Sequence, residues 1–158
     1  MSEHILNNKF KLYFHDPISY NWTIDSYINI FDINSIEDYW KINLLLQEHL
    51  HLGMFFLMRE NIIPLWNETG NNYSFSIKVL KNESIWYWNY LNSHLLSENF
   101  LNSEYKDNWN TLNGISISPK KNFCIIKIWL TKLLDEDIRK VYKIPDKYNG
   151  DIVLKKYN

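Results

Sequence analysis

The sequence predicts an α+β domain, a largely antiparallel sheet with helices packed on one face. Three observations carry that prediction. Segments that alternate apolar and polar residues, the period of a half-buried strand, recur along the chain. Segments with apolar residues at helical spacing interrupt them. Hydrophobic residues make up 46% and charged residues 22% of 158 positions, the balance of a folded domain rather than a disordered chain. Four Gly and four Pro are scattered without forming a linker, and no segment repeats, so residues 1–158 read as one domain.

Taken in order, Phe10, Leu12 and Phe14 alternate with Lys11 and Tyr13 as a first strand. A second is expected from Trp22 to about Ile30. Ser35 before Ile36-Glu37-Asp38 is a capping-box-like helix start, and that helix should run to about His49 with Tyr39, Ile42, Leu45 and Leu46 facing the core. Met54 to Met58 reads as a short buried strand and Pro64 to Asn72 as a loop. Tyr73, Phe75, Ile77 and Val79 alternate with Ser74, Ser76 and Lys78, the clearest strand in the chain. A second helix spans about Glu83 to Leu96, with Trp88, Leu91 and Leu95 on one face. Gly114 to Ser118 and Phe123 to Leu130 flank a turn at Pro119–Asn122. Leu134, Ile138 and Val141 mark a third, shorter helix, and Ile152 to Leu154 a last strand. The order is ββα ββα ββα β.

Composition excludes several classes. A net charge of −1 does not grip nucleic acid through a general positive field, and only local clusters such as Lys120-Lys121 could hold phosphates. The one cysteine, Cys124, has no internal disulfide partner and reads as a small core residue. The start MSEHILNNKFKLYF carries charges and amides where a signal peptide needs an apolar run, and no apolar stretch reaches the ~18 residues of a membrane span. The expectation is a soluble, cytoplasmic protein with no membrane partner. Twenty-one Asn and 20 Ile beside two Arg and no Ala point to an AT-rich genome, such as that of a large virus or a parasite. Seven Trp do not follow from that bias, because the Trp codon carries two G's.

Catalytic patterns are missing. There is no G-x-S-x-G elbow, P-loop or G-x-G-x-x-G. His49 and His51, two apart at a helix end, are poorly placed to share a metal, and no cofactor is implied. An enzyme is not expected. The remaining signal is aromatic. Trp22 and Trp66 stand in polar turn or loop contexts, where they either plug inward or sandwich a flat ring, a cationic ring gaining up to ~2 kcal/mol. Ile36 and Trp40 lie one turn apart on a helix flank that continues into Asn43 and Gln47, either a rim of the core or a surface for a partner.

Several motifs resemble, in order and spacing, the translation initiation factor 4E family, which binds the 7-methylguanosine cap of messenger RNA. Ser35-Ile36-Glu37-Asp38-Tyr39-Trp40 looks like its V-E-D-F-W helix, Ile63-Pro64-Leu65-Trp66 like its E-P-M-W loop, and Ile126-Lys127-Ile128-Trp129-Leu130-Thr131 like its I-A-I-W-T-T strand. His4-Ile5-Leu6 stands for H-P-L and Phe10-Lys11-Leu12-Tyr13-Phe14 for W-A-L-W-F. The resemblance runs from about His4 to Tyr157.

It implies a curved, mainly antiparallel sheet of about seven or eight strands with three helices on its convex face, in a monomer. It assigns Trp22 and Trp66 to the guanine sandwich, and Lys120, with Lys121 as a neighbour, to the cap phosphates. Ile36 and Trp40, bordered by His4, Ile5, Leu6, Asn89 and Tyr90, would form the dorsal patch for a Y-x-x-x-x-L-φ helix of a scaffold factor or repressor. Departures accompany these matches. Asn67 replaces the glutamate that accepts from the guanine edge, with Glu68 next door. Ser74, Asn122 and Ile125 stand at the family's basic positions, and the C-terminal loop over the phosphates is nearly absent. An interaction module that kept the dorsal patch and lost or altered the cap pocket is therefore the alternative. An aromatic-lined carbohydrate-binding domain shares only the stacking physics.

Overall fold

Alternation sends successive side chains of a strand to opposite faces, and in this chain both faces of the sheet are put to use. The computed structural model describes residues 3–65 and 70–157. The strands are β1 (Ile5–His15), β2 (Ile28–Ser35), β3 (Met54–Arg59), β4 (Tyr73–Leu80), β5 (Leu112–Pro119), β6 (Phe123–Leu130) and β7 (Ile152–Lys156). The helices are α1 (Ile36–Leu46), α2 (Ser84–Leu96) and α3 (Ile138–Val141). All pairings are antiparallel, in the spatial order β2-β1-β3-β5-β6-β4-β7. The curved sheet and the element order agree with the expected α+β architecture.

The main core lies between the convex face and the helices. Phe10, Leu12, Phe55, Leu57, Phe75, Ile77, Ile115, Ile117, Ile126 and Ile128 meet Tyr39 of α1 and Trp88, Leu91 and Leu95 of α2 there. Each such side chain, fully buried, contributes about 1.5–3 kcal/mol. On the concave face a smaller cluster forms from Tyr13, Phe56, Met58 and Trp129. The α1 start is the expected capping box. The Asp38 amide donates to Ser35 Oγ at 3.1 Å, and the Ser35 amide donates to the Asp38 carboxylate at 3.2 Å.

Several expectations need correction. The second strand begins at Ile28, not Trp22, because residues 21–26 bond locally instead. Asn21 Oδ1 accepts from the Thr23 amide and hydroxyl at 3.1 and 2.9 Å, and Ser26 Oγ donates to the Thr23 carbonyl at 2.7 Å. Such side-chain bonds compete with a sheet ladder and leave a 3-10 turn at Ile24–Ser26. On α1 Tyr39 is buried and Ile42 and Leu46 pack against the core as expected, but Leu45 is 70% exposed and Asn43, one turn from Tyr39, is buried instead. The third helix is a single turn; the Asp137 amide bonds back to Asp135 Oδ1 at 2.8 Å, a turn that holds Leu134 outside it. A 3-10 run at Ser103–Thr111 was not anticipated.

Candidate functional site

Two regions gather the residues singled out by sequence. The first is a cleft of about 450 Å³ on the concave face. One half of its wall is aromatic and sulfur-bearing, with Trp22, Tyr27, Met54, Phe56 and Trp129. The rest carries hydroxyls and ammoniums, with Ser76, Ser116, Ser118, Lys120 and Lys127, and the apolar Ile125 among them. Register explains the division. Lys127 pairs with Ser116 on β5 and Ser76 on β4, so one row across the sheet reads Phe56, Ser116, Lys127, Ser76. The next row places Trp129 between Gly114 and Ser74, with Lys155 of β7 opposite Ser74. Gly114 is required there, since a Cβ would stand 2.4 Å from the Leu57 carbonyl oxygen.

Trp22 is 40% exposed at this cleft, with one face flat against the His15 ring at 3.9 Å. Trp129 is buried, and its indole N–H donates to Ser116 Oγ at 3.0 Å. Tyr157 stacks on Trp129 at 5.6 Å, and its hydroxyl meets Ser74 Oγ at 2.8 Å. Ser74 is therefore engaged with the C-terminal strand. Lys127 Nζ lies 5.2 Å from the centre of the Trp129 ring. Burial, and then repulsion from Lys155 and Lys120, push its ammonium below the ordinary lysine value. Two lysines, Lys120 and Lys127, thus line the cleft, with Lys155 of β7 close enough to repel Lys127.

Of the expected cap residues, Lys120 lines the cleft, whereas Lys121 sits exposed in the β5–β6 turn outside the lining. Trp66, Asn67 and Glu68 lie outside the described residues. The base of their loop is firmly held. Asn71 Nδ2 donates to the carbonyls of Ile63 and Leu65, both at 2.8 Å. Asn113 Nδ2 donates to the Gly70 carbonyl at 3.0 Å and to Asn71 Oδ1 at 2.9 Å. Asn113 Oδ1 accepts from Arg59 at 3.1 Å and from the Thr131 hydroxyl at 2.9 Å. Gly70 has φ of 84°, a backbone that favours glycine.

Sequence reasoning missed Lys127, Lys155 and His15. The signal for Lys127 was legible, a lysine inside the apolar run of β6 and two residues before Trp129, where it shares that residue's face.

The second region is on the helical side. Trp40 is 42% exposed, its ring edge-on to Tyr39 at 5.2 Å. The Tyr39 hydroxyl donates to Asn89 Oδ1 at 2.9 Å, tying α1 to α2. Ile36 is half-buried, and its amide donates to the His4 carbonyl at 3.0 Å. The His4 amide and ring in turn meet the Glu37 carboxylate at 3.0 and 2.5 Å, which holds that carboxyl at about 2. Ile5 is exposed, whereas Leu6 turns into the core. Tyr90 stacks on Trp86 at 5.2 Å. The structure brings His4, Ile5, Ile36, Trp40, Asn89 and Tyr90 to one side, with Leu6 beneath them.

A curved sheet with an aromatic and lysine-lined cleft on one face and helices on the other defines a single-sheet ligand-binding domain. The family model for eukaryotic initiation factor 4E matches residues 5–156, and the chain belongs to that family. Among solved structures, Ascaris suum eIF4E-3 with an m2,2,7G cap superposes with a TM-score of 0.72 at 18% identity, over 87% of this chain and 79% of that one. C. elegans eIF4E-3 with the 4E-binding protein Mextli and a cap analog gives 0.73 at 19%, over 87% and 80%. Schistosome eIF4E with m7GpppA and 4E-BP gives 0.71 at 16%, over 89% and 77%. At these identities the likeness is one of fold. A comparison with curated protein sequences gives no significant match.

Proposed function

We propose that this protein binds the 5′ cap of messenger RNA in the concave cleft and a helical segment of a scaffold or repressor protein on the dorsal patch. The observation that carries the reading is Trp22 in the wall of a cleft that Lys120 and Lys127 also line, with Lys155 close enough to repel Lys127. A methylated guanine stacks on Trp22, with Trp66 as its second wall. The lysines take the phosphates in place of the basic residues absent at Ser74, Asn122 and Ile125. The related structures hold a cap, or a 4E-binding protein, or both. Trp40 and Ile36 receive the apolar side chains of the partner helix, with Asn89 and Tyr90 at the border. The protein works as a binding domain in the cytoplasm, as a monomer and without a cofactor.

Tryptophan fluorescence with 7-methyl-GTP, and with GTP in parallel, tests the cleft. Saturable quenching by the methylated ligand is expected. Its loss in Trp22→Ala by about tenfold to a hundredfold matches the ~1–3 kcal/mol of one stacked base. Unchanged affinity would sink the stacking mechanism. Ser74, engaged by Tyr157 rather than turned to a ligand, favours a second reading in which the dorsal patch alone is functional. That reading predicts peptide binding abolished by Trp40→Ala in a protein that takes up no cap analogue.

A further inference from the structure

His15 ends β1, fully buried, with Met54 as its register partner on β3. Its Nδ1 lies 2.8 Å from the Asp16 carbonyl oxygen and its Nε2 lies 2.7 Å from the Asn21 carbonyl oxygen. A carbonyl oxygen can only accept, and a neutral imidazole donates from one nitrogen only. Both contacts are hydrogen bonds together only when the ring is the imidazolium. The same ring lies flat on the Trp22 indole, centroids 3.9 Å apart and planes within 2°. One side chain therefore closes the 16–21 loop and backs the indole that lines the cleft. The Asp16 carboxylate accepts from the Ile18 amide at 3.0 Å. Tyr27 stands 4.8 Å away, with its hydroxyl pushed up to about 12 by burial and so uncharged. Lys120 lines the same cleft.

We propose that His15, carrying a positive charge, holds Trp22 in place and lowers the cleft's preference for a cationic ring over a neutral one. The selectivity half of this inference rests on the cap-binding reading; the clamp does not. The two faces of an indole share one π system. A cation on the His15 side draws electron density toward itself and repels a second cation through the ring. A 7-methylguanine, which is cationic, loses attraction on both counts. A neutral guanine stacks by dispersion and buried area and loses little.

The experiment titrates 7-methyl-GTP and GTP into the wild-type chain and into His15→Phe at about pH 6, where the 7-methylguanine ring is cationic. Phenylalanine keeps a ring against Trp22 and removes the charge. The preference for 7-methyl-GTP over GTP is expected to be on the order of threefold to tenfold higher in the variant. Equal preferences in the two proteins would overturn the selectivity. The imidazole nitrogen NMR spectrum of ligand-free wild type needs no variant to fold. Two N–H nitrogens on His15 at about pH 6 support the clamp, and one bare nitrogen overturns it. Should wild type bind neither nucleotide, the cap reading falls and the selectivity with it, while the nitrogen spectrum still decides the clamp.

Discussion

β4 and β6 show two faces on one pair of backbones. Toward the helices they turn Phe75, Ile77, Val79, Cys124, Ile126, Ile128 and Leu130, all buried. Toward the cleft the same strands turn Ser74, Ser76, Lys78, Ile125, Lys127 and Trp129. The first set is interchangeable with other apolar residues of similar volume and holds the fold. The second set mixes hydroxyls, an ammonium and an indole, and its burial is a cost rather than a gain for Lys127. Residues that a fold would not choose for stability lie on the face where we place the ligand.

Substitutions on either face sharpen this contrast. The largest effect belongs to Phe75→Ala on the helical side, whose ring lies 4.9 Å from Tyr142. It should lower unfolding free energy by about 3–5 kcal/mol, read from urea midpoints at constant m. A loss under ~1 kcal/mol would mean that the core closes over the gap.

Lys127→Met, on the cleft side, should instead weaken 7-methyl-GTP by about tenfold while leaving the 7-methylguanosine nucleoside nearly untouched. Equal loss for both ligands would place Lys127 against the base rather than the phosphates. The same variant carries a pH signature. Lys127 holds its proton less tightly folded than unfolded, so its charged form opposes folding. That penalty is full at pH below the lowered value and fades as pH rises toward the ordinary lysine value of 10.5. The stabilisation of Lys127→Met over wild type should therefore shrink with rising pH. Measuring the difference at each pH cancels the buried tyrosines, whose raised values act in the opposite sense.

The smallest effect is at the exposed dorsal rim. Glu37 is held at about 2 against an ordinary 4.5 by its bonds to His4. Its contribution is present above pH 4.5 and lost as pH falls toward 2, so wild type and Glu37→Gln should converge in melting temperature over that window. Curves that stay parallel would assign the difference to something other than this carboxylate.

What the sequence made legible was local. The capping box at Ser35, the run Phe123–Leu130 and the exposure of Trp40 each follow from residues a few positions apart and stand in the structure, whereas Asn43, expected on the Trp40 flank, turns inward. The false start at Trp22 was legible too, in the Asn21, Thr23 and Ser26 side chains able to bond their own backbone. Lys127 became meaningful only when the register set Ser76 and Ser116 on either side and β7 delivered Lys155. His15 required two carbonyls and an indole to fold back over it. Those encounters depend on pairing and loop path, which no single strand's alternation encodes.

Asn113 has a consequence for the chemical ageing of this protein. A register shift between Leu112 and Gly114 turns its amide inward, where it joins β5 to Gly70, Asn71, Arg59 and Thr131. It is followed by Gly114, whose unhindered nitrogen is well suited to attack the asparagine side chain once the chain is open. Folded, that amide is bonded and enclosed. Unfolded, it can deamidate to a carboxylate that has no N–H to give to Gly70 or Asn71. A molecule that opens for long enough thus returns with the anchor at the base of the loop before Gly70 chemically erased, so damage at Asn113 records time spent unfolded.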